Sequence, residues 1–163
     1  MGQELVKQAH AMDISIYAYG HADLDVSDTG KIDKELTKFN PDIVINATAF
    51  HVVADCEAYP EQAFAINTTA VKNLAVSCRK KGIKFITFST DYVFDGFKNN
   101  PYVETDKPNP VQIYGLSKLA GEIACLNYDS ESVVIRTCGL YGGKTGSRSK
   151  KGNFVLNILK EAV

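Results

Sequence analysis

The chain has 163 residues, 45% of them apolar, with 18 Lys and Arg against 19 Asp and Glu and a formal charge of -1. That is one domain's worth of chain with enough apolar residues for a core, which excludes an intrinsically disordered protein. The charge balance leaves no excess to track a phosphate backbone, and the densest basic stretch, 144–151, is a short run rich in Gly and Ser, so nucleic acid is not an expected partner.

Taken in chain order, MGQELVKQAHAMD has no apolar core of signal-peptide length and reads as a helix over 2–11. ISIYAY (14–19) predicts a strand, 31–39 a helix, DIVIN (42–46) a strand, and 61–81 a helix closed by Gly82. KFITFS (84–89) predicts a strand and 91–110, with its glycines, asparagines and prolines, a long irregular loop of the kind that is usually functional. A helix over 113–127, the strand SVVIRT (132–137) and a last helix over 153–163 complete the pattern. The short apolar segments are β-branched or aromatic and alternate with helices, which predicts one α/β domain built on a parallel sheet with right-handed crossovers.

Cys56, Cys78, Cys125 and Cys138 form no CxxC pair and have no histidine at ligand spacing, so they read as buried free thiols of a reducing, cytoplasmic setting. No segment approaches the roughly 18 to 20 apolar residues of a membrane span. Phe64, Phe85 and Phe88 are expected in the core. Glu104 and Asp106 lie two apart in the loop and read as solvated carboxylates rather than metal ligands.

Tyr114 and Lys118 in IYGLSKLAGE are four apart and share a helix face. Alone, such a pair also reads as an exposed surface pair with the Lys stem packed on the ring. The context adds weight, because Ser89 and Thr90 place hydroxyls at the carboxyl end of a buried strand, where open α/β sheets bind ligands. Together the residues suit reduction of a carbonyl. An ordinary phenol titrates near ~10, and an adjacent ammonium would favour phenolate and bring the donor nearer working pH. Thr90 would bond the carbonyl oxygen, Tyr114 would deliver the proton, and a nicotinamide must carry the hydride. Asn67 falls on the stripe Asn67, Val71, Leu74, Cys78 and must find partners there. It either bridges nearby backbone groups or orders the Lys118 region.

These segments resemble the extended short-chain dehydrogenases/reductases and, within them, the dTDP-4-dehydrorhamnose reductases. The carrying motifs are INATAF (45–50), AINTTAVKNLA (65–75), STDYVFDG (89–96), PYVETD (101–106), PVQIYGLSKLAGE (110–122) and RTCGLYG (136–142). The resemblance implies a Rossmann-like doubly wound sheet and Thr90, Tyr114 and Lys118 as the catalytic trio, with Lys118 also on the nicotinamide ribose. It implies cofactor contacts at Gly2, Ala47, Thr48, Ala49, Asn67 and Ser89, and an adenine beside Asp25 and Val26 in the LDV segment (24–26). Asp91, Tyr92 and Val93 would border the sugar nucleotide, and Asn153 and Phe154 match the start of a substrate-side helix. The implied reaction is reduction of a dTDP-4-keto sugar with NADPH or NADH, and the resemblance allows a homodimer.

The sequence departs from that pattern in four places. Gly2 matches the last glycine of a phosphate-binding turn, so the turn and the first strand are expected to be lacking. That strand would lie between the strands at Ile14 and Lys84, leaving two unpaired edges, each buried unpaired group costing on the order of 1 to 3 kcal/mol. The C-terminal substrate domain is likewise expected to be lacking. Gly139 stands where relatives often carry an aromatic residue, and Gly20 followed by His21 stands where an acidic residue often holds a ribose hydroxyl. A non-catalytic relative and a nucleotide-sugar epimerase or dehydratase are the alternative readings.

Overall fold

The computed structural model describes residues 1–140 and Ile158. The expected helix over 153–163, with Asn153 and Phe154, therefore lies outside the described residues apart from Ile158. The elements run α1 (Gly2–Ala11), α2 (Thr29–Phe39), β1 (Ile43–Asn46), α3 (Val53–Ala58), α4 (Pro60–Phe64), α5 (Val71–Lys81), β2 (Lys84–Thr90), α6 (Ile113–Tyr128) and β3 (Val133–Thr137). A π-helical turn (Ala65–Ala70) joins α4 to α5, and a 3-10 turn (Asp91–Val93) follows β2.

Local chemistry sets these limits. Asp28 caps α2 by accepting from Lys31 N at 3.0 Å, and Asn40 ends that helix in a left-handed conformation just before Pro41. Gly82, at φ 68°, ends α5, whose last turn carries Arg79, Lys80 and Lys81 against the negative end of the helix dipole.

The sheet is parallel throughout in the order β1-β2-β3. Strand alternation puts Val44, Phe85 and Val134 on one face, where they meet Ile32 and Leu36 of α2, Val71, Leu74 and Cys78 of α5, and Cys125 of α6. On the other face, Ile43, Ile45, Val133 and Ile135 are between 38% and 50% exposed. Phe85 is fully buried as expected, whereas Phe64 and Phe88 are only half-buried.

Three expectations need correction. The 14–19 segment forms no ladder, because among the described residues no strand lies beside it. It instead leans on α2, with Tyr17 stacked 3.9 Å from Phe39 and Tyr19 donating to Glu35 at 2.5 Å. The 84–90 strand has no open edge, because β1 takes one side and β3 the other; the unpaired edges among the described residues are the outer ones of β1 and β3. The 61–81 helix is interrupted by the π turn, which widens the coil at Asn67. One thiol also departs from expectation, since Cys138 is exposed while Cys56, Cys78 and Cys125 are buried.

Helix α6, which carries Tyr114 and Lys118, lies almost backbone to backbone on its neighbours. A Cβ on Gly115 would collide with the Tyr92 carbonyl of the 3-10 turn, and one on Gly121 with the Asn67 carbonyl of the π turn. Gly121→Ala is expected to cost about 3 kcal/mol, as overpacking against rigid backbone does. Gly82→Ala, with no neighbour near its Cβ and only a left-handed backbone to satisfy, should cost about 1 kcal/mol. Urea denaturation of the two variants checks the order, and equal losses would contradict the close docking of α6.

Candidate active site

The site begins where β2 ends. The Thr90 hydroxyl accepts from Tyr92 N at 3.2 Å, capping the 3-10 turn, and donates to Asp91 Oδ1 at 3.1 Å. Ser89 and Thr90 are buried, and Ser89 Oγ has no hydrogen-bond partner among the described residues. A buried hydroxyl left open at the carboxyl end of a parallel strand is a group waiting for a polar ligand.

Helix α6 faces this strand end. Gln112 caps it by accepting from Gly115 N at 2.5 Å, and Glu57 of α3 accepts from Ile113 N at 2.7 Å, so its first turn is held from two sides. Tyr114 is thereby set beside Thr90, with the Tyr92 ring edge-on at 5.8 Å. One turn on, the buried Lys118 donates from Nζ to the Phe88 carbonyl at 2.7 Å.

The charge states differ from the sequence expectation. Burial pushes the Tyr114 phenol above its usual 10.0, outweighing the neighbouring Thr90 hydroxyl, which draws it down. The correction has a geometric reason, since the ammonium is turned to Phe88 O instead of the phenol. Burial also pulls Lys118 down to about 8, with Glu122 opposing.

Asn67 satisfies both readings made of it. Its Nδ2 donates to Phe50 O at 2.9 Å and to Ser117 Oγ at 3.0 Å, while its Oδ1 accepts from Phe50 N at 2.9 Å. Thr68 Oγ1 donates to Ser117 O at 2.7 Å, and Ser117 Oγ donates to Tyr114 O at 2.8 Å. The π turn thus ties the loop after β1 to the Tyr114 helix. Of the residues the resemblance assigned to the cofactor, Gly2 lies against Ala47, its Cβ position 3.9 Å from that of Ala47. Thr48 bonds Asn46 Oδ1 through both its N (3.1 Å) and its hydroxyl (2.7 Å), and Ala49 follows on the same loop.

Asp25 is turned onto Ser27, whose N and hydroxyl hold its carboxyl below the usual range, and Val26 packs toward the core. Among the described residues, no hydrogen bond links Asp25 or Val26 to Thr90, Tyr114 or Lys118. Gly20 and His21 lie in an exposed turn closed by Asp23. Of the residues the resemblance assigned to the sugar, Asp91 and Tyr92 are exposed, whereas Val93 is fully buried and packs instead of facing solvent. Asp106 is committed to Lys98 at 2.6 Å and to Val103 N at 2.7 Å.

Sequence reasoning passed over Ser117, Gly121, Glu122 and Arg136. The signals were small or charged residues on otherwise apolar segments: Ser117 and Gly121 beside Lys118, and Arg136 in SVVIRT.

Lys118 sets a pH dependence whose sign follows from its lowered value. Between about 8 and 10.5 the unfolded chain holds a proton on Lys118 that the folded chain has released, so stability rises with pH across that window. Relative to Lys118→Met, the protein should gain on the order of 3 kcal/mol from pH 7.5 to 10.5. Urea titrations across that range check it, and a difference that falls with pH would contradict the buried, deprotonation-prone amine.

The whole chain, residues 1–163, matches the family model described as the RmlD substrate binding domain. It is 41% identical over 121 residues to a probable low-salt glycan biosynthesis reductase of Haloferax volcanii, covering 74% of this chain and 40% of that protein. It is 36% identical over 137 residues to the dTDP-4-dehydrorhamnose reductase of Escherichia coli, covering 84% of this chain and 45% of that protein. The crystal structure of a Bacillus anthracis dTDP-4-dehydrorhamnose reductase in complex with NADP superposes with a TM-score of 0.88 at 31% identity, covering 98% of this chain and 55% of that one. The chain thus spans about half the length of the curated relatives it matches. With the parallel Rossmann-like sheet and the Thr90, Tyr114, Lys118 group both in place, the chain belongs to the RmlD family, that of the dTDP-4-dehydrorhamnose reductases.

Proposed function

We propose that the full-length polypeptide reduces the 4-keto group of dTDP-4-dehydro-L-rhamnose to dTDP-L-rhamnose, with NADPH or NADH as the donor. The observation that carries this reading is the convergence of Thr90, Tyr114 and Lys118 on one strand end beside the Ser89 hydroxyl, which has no partner among the described residues. The names of its relatives and the NADP complex of the Bacillus anthracis enzyme support it.

The residues present fit a nicotinamide cofactor. Ser89 offers an open hydroxyl, Lys118 a buried amine, and the Gly2 and Ala47 contact brings small residues to the end of β1, where backbone can approach a ligand. When bound, the nicotinamide supplies the hydride that the side chains lack. Tyr114 keeps its proton at neutral pH because its pKa lies above 10.0, which suits a general acid in the reducing direction. As charge develops on the former carbonyl oxygen, Thr90 turns its hydroxyl proton from Asp91 to that oxygen and Tyr114 gives up its own proton. Lys118 holds a ribose hydroxyl and places positive charge near the phenolate. Asp91 and Tyr92, exposed beside Tyr114, border the sugar, and Ala47, Thr48 and Ala49 border the cofactor. The three buried free thiols support a cytoplasmic setting.

In the full-length polypeptide, Tyr114→Phe should lower keto-sugar-dependent NADPH oxidation on the order of 10²- to 10⁴-fold with KM little changed, and Thr90→Val should lower it by a smaller factor. Spectrophotometry at 340 nm with the nucleotide keto sugar reads both. Full activity in Tyr114→Phe would overturn the mechanism, and product formation without net NADPH oxidation would favour an epimerase.

A further inference from the structure

Lys118 and Glu122 are four residues apart on α6 and both are buried, at 5% and 6% exposure. That spacing normally closes an ion pair along the helix. Here the two side chains part. Lys118 Nζ turns to the Phe88 carbonyl at 2.7 Å, and Glu122 turns to Arg136 of β3. Arg136 Nε donates to both carboxylate oxygens at 3.1 Å and a terminal guanidinium nitrogen donates to Oε2 at 2.6 Å, a forked grip that a lysine does not reproduce. The guanidinium is itself fixed, lying 5.2 Å from the centre of the Phe94 ring, which stacks on Tyr102 at 4.3 Å.

We propose that Arg136 is a positioning residue: by holding Glu122 it keeps that carboxylate from closing an ion pair with Lys118 and so leaves the amine at the Phe88 carbonyl, facing the site. The importance of this for turnover rests on the reductase reading; the placement of the amine does not. The lowered proton affinity of Lys118 agrees, since a lysine paired at contact distance with a buried carboxylate would be held charged. Other titratable groups on the elements packed against α6 do not perform this task. Cys56 and Asp91 lie toward Tyr114, Glu57 is spent on Ile113 N, the π turn carries no titratable side chain, and among the described residues Glu122 is the charge acting on Lys118.

Removing the guanidinium strands a buried carboxylate, and the nearest cation on the same helix face is Lys118. The test is a lysine-side-chain NMR titration of ¹³Cε-labelled protein, with the Lys118 signal assigned from its loss in Lys118→Met. In Arg136→Gln the Lys118 midpoint should rise by about one pH unit or more from its value near 8, and the added Glu122→Gln change should abolish the rise. Arg136→Lys keeps a cation opposite Glu122 and with it the fold, but grips the carboxylate at one point, so it should show a smaller rise. A Lys118 midpoint that stays or falls in the Arg136 variants overturns the proposal. If Arg136→Gln does not fold, the direction seen in Arg136→Lys decides. The readout needs no turnover, so failure of the reductase reading would leave it standing, and its own failure would leave that reading intact.

Discussion

Everything at the site depends on how closely α6 approaches the backbone of its neighbours. Gly115 and Gly121 let the helix lie against the Tyr92 and Asn67 carbonyls, closer than any side-chain-bearing residue allows. Between those two contacts sit Ser117, bonded to Asn67 and Thr68, and Lys118, bonded to Phe88 O. The helix is therefore fixed in translation by glycine contacts and in rotation by hydrogen bonds. Tyr114, one turn ahead of Lys118, has little freedom except to face Thr90. The π turn belongs to the same device, since it presents both the Asn67 side chain to Ser117 and the Asn67 carbonyl to Gly121.

Burial then decides the chemistry of the groups so placed. The same desolvation that raises the Tyr114 phenol lowers the Lys118 amine, pushing both toward neutral forms. A neutral phenol is a proton donor ready for use, and an amine with a pKa near 8 stays largely protonated at neutral pH and can offset negative charge that develops in the site. Glu122 and Arg136 keep a fixed ion pair just behind, half shielded by Phe94. The loop after β2 takes part through Asp95, held to about 2 by Tyr102, Asn109 and its own backbone bonds, which stiffens the segment leading back to α6.

Much of this was legible in the sequence, and the exceptions share a cause. The strands DIVIN, KFITFS and SVVIRT, the capped helices and the Thr90, Tyr114, Lys118 set each carry their signal locally, in period, punctuation or spacing. The 14–19 segment has a strand's composition, but a strand exists only with a partner, and composition does not report one. The π turn and the close approaches of Gly115 and Gly121 depend on atoms about twenty to fifty residues away, so AINTTA and YGLSKLAGE show small residues but not what those residues meet. The expected pull of Lys118 on the Tyr114 phenol fails for the same reason. Spacing placed the amine beside the phenol, while the direction of its Nζ is set by Phe88 O and by the Arg136 grip on Glu122, both products of the folded sheet.

The central claim is that the docking of α6 converges Thr90 and Tyr114 on one reacting oxygen. The most direct measurement is a crystal structure of the full-length polypeptide with NADP and a dTDP-sugar bound. The account predicts the sugar 4-oxygen within about 3 Å of both the Thr90 hydroxyl and the Tyr114 phenol, with α6 unmoved from its seat on Tyr92 and Asn67. A sugar whose 4-position lies away from both hydroxyls, or an α6 displaced from those two carbonyls, would contradict it.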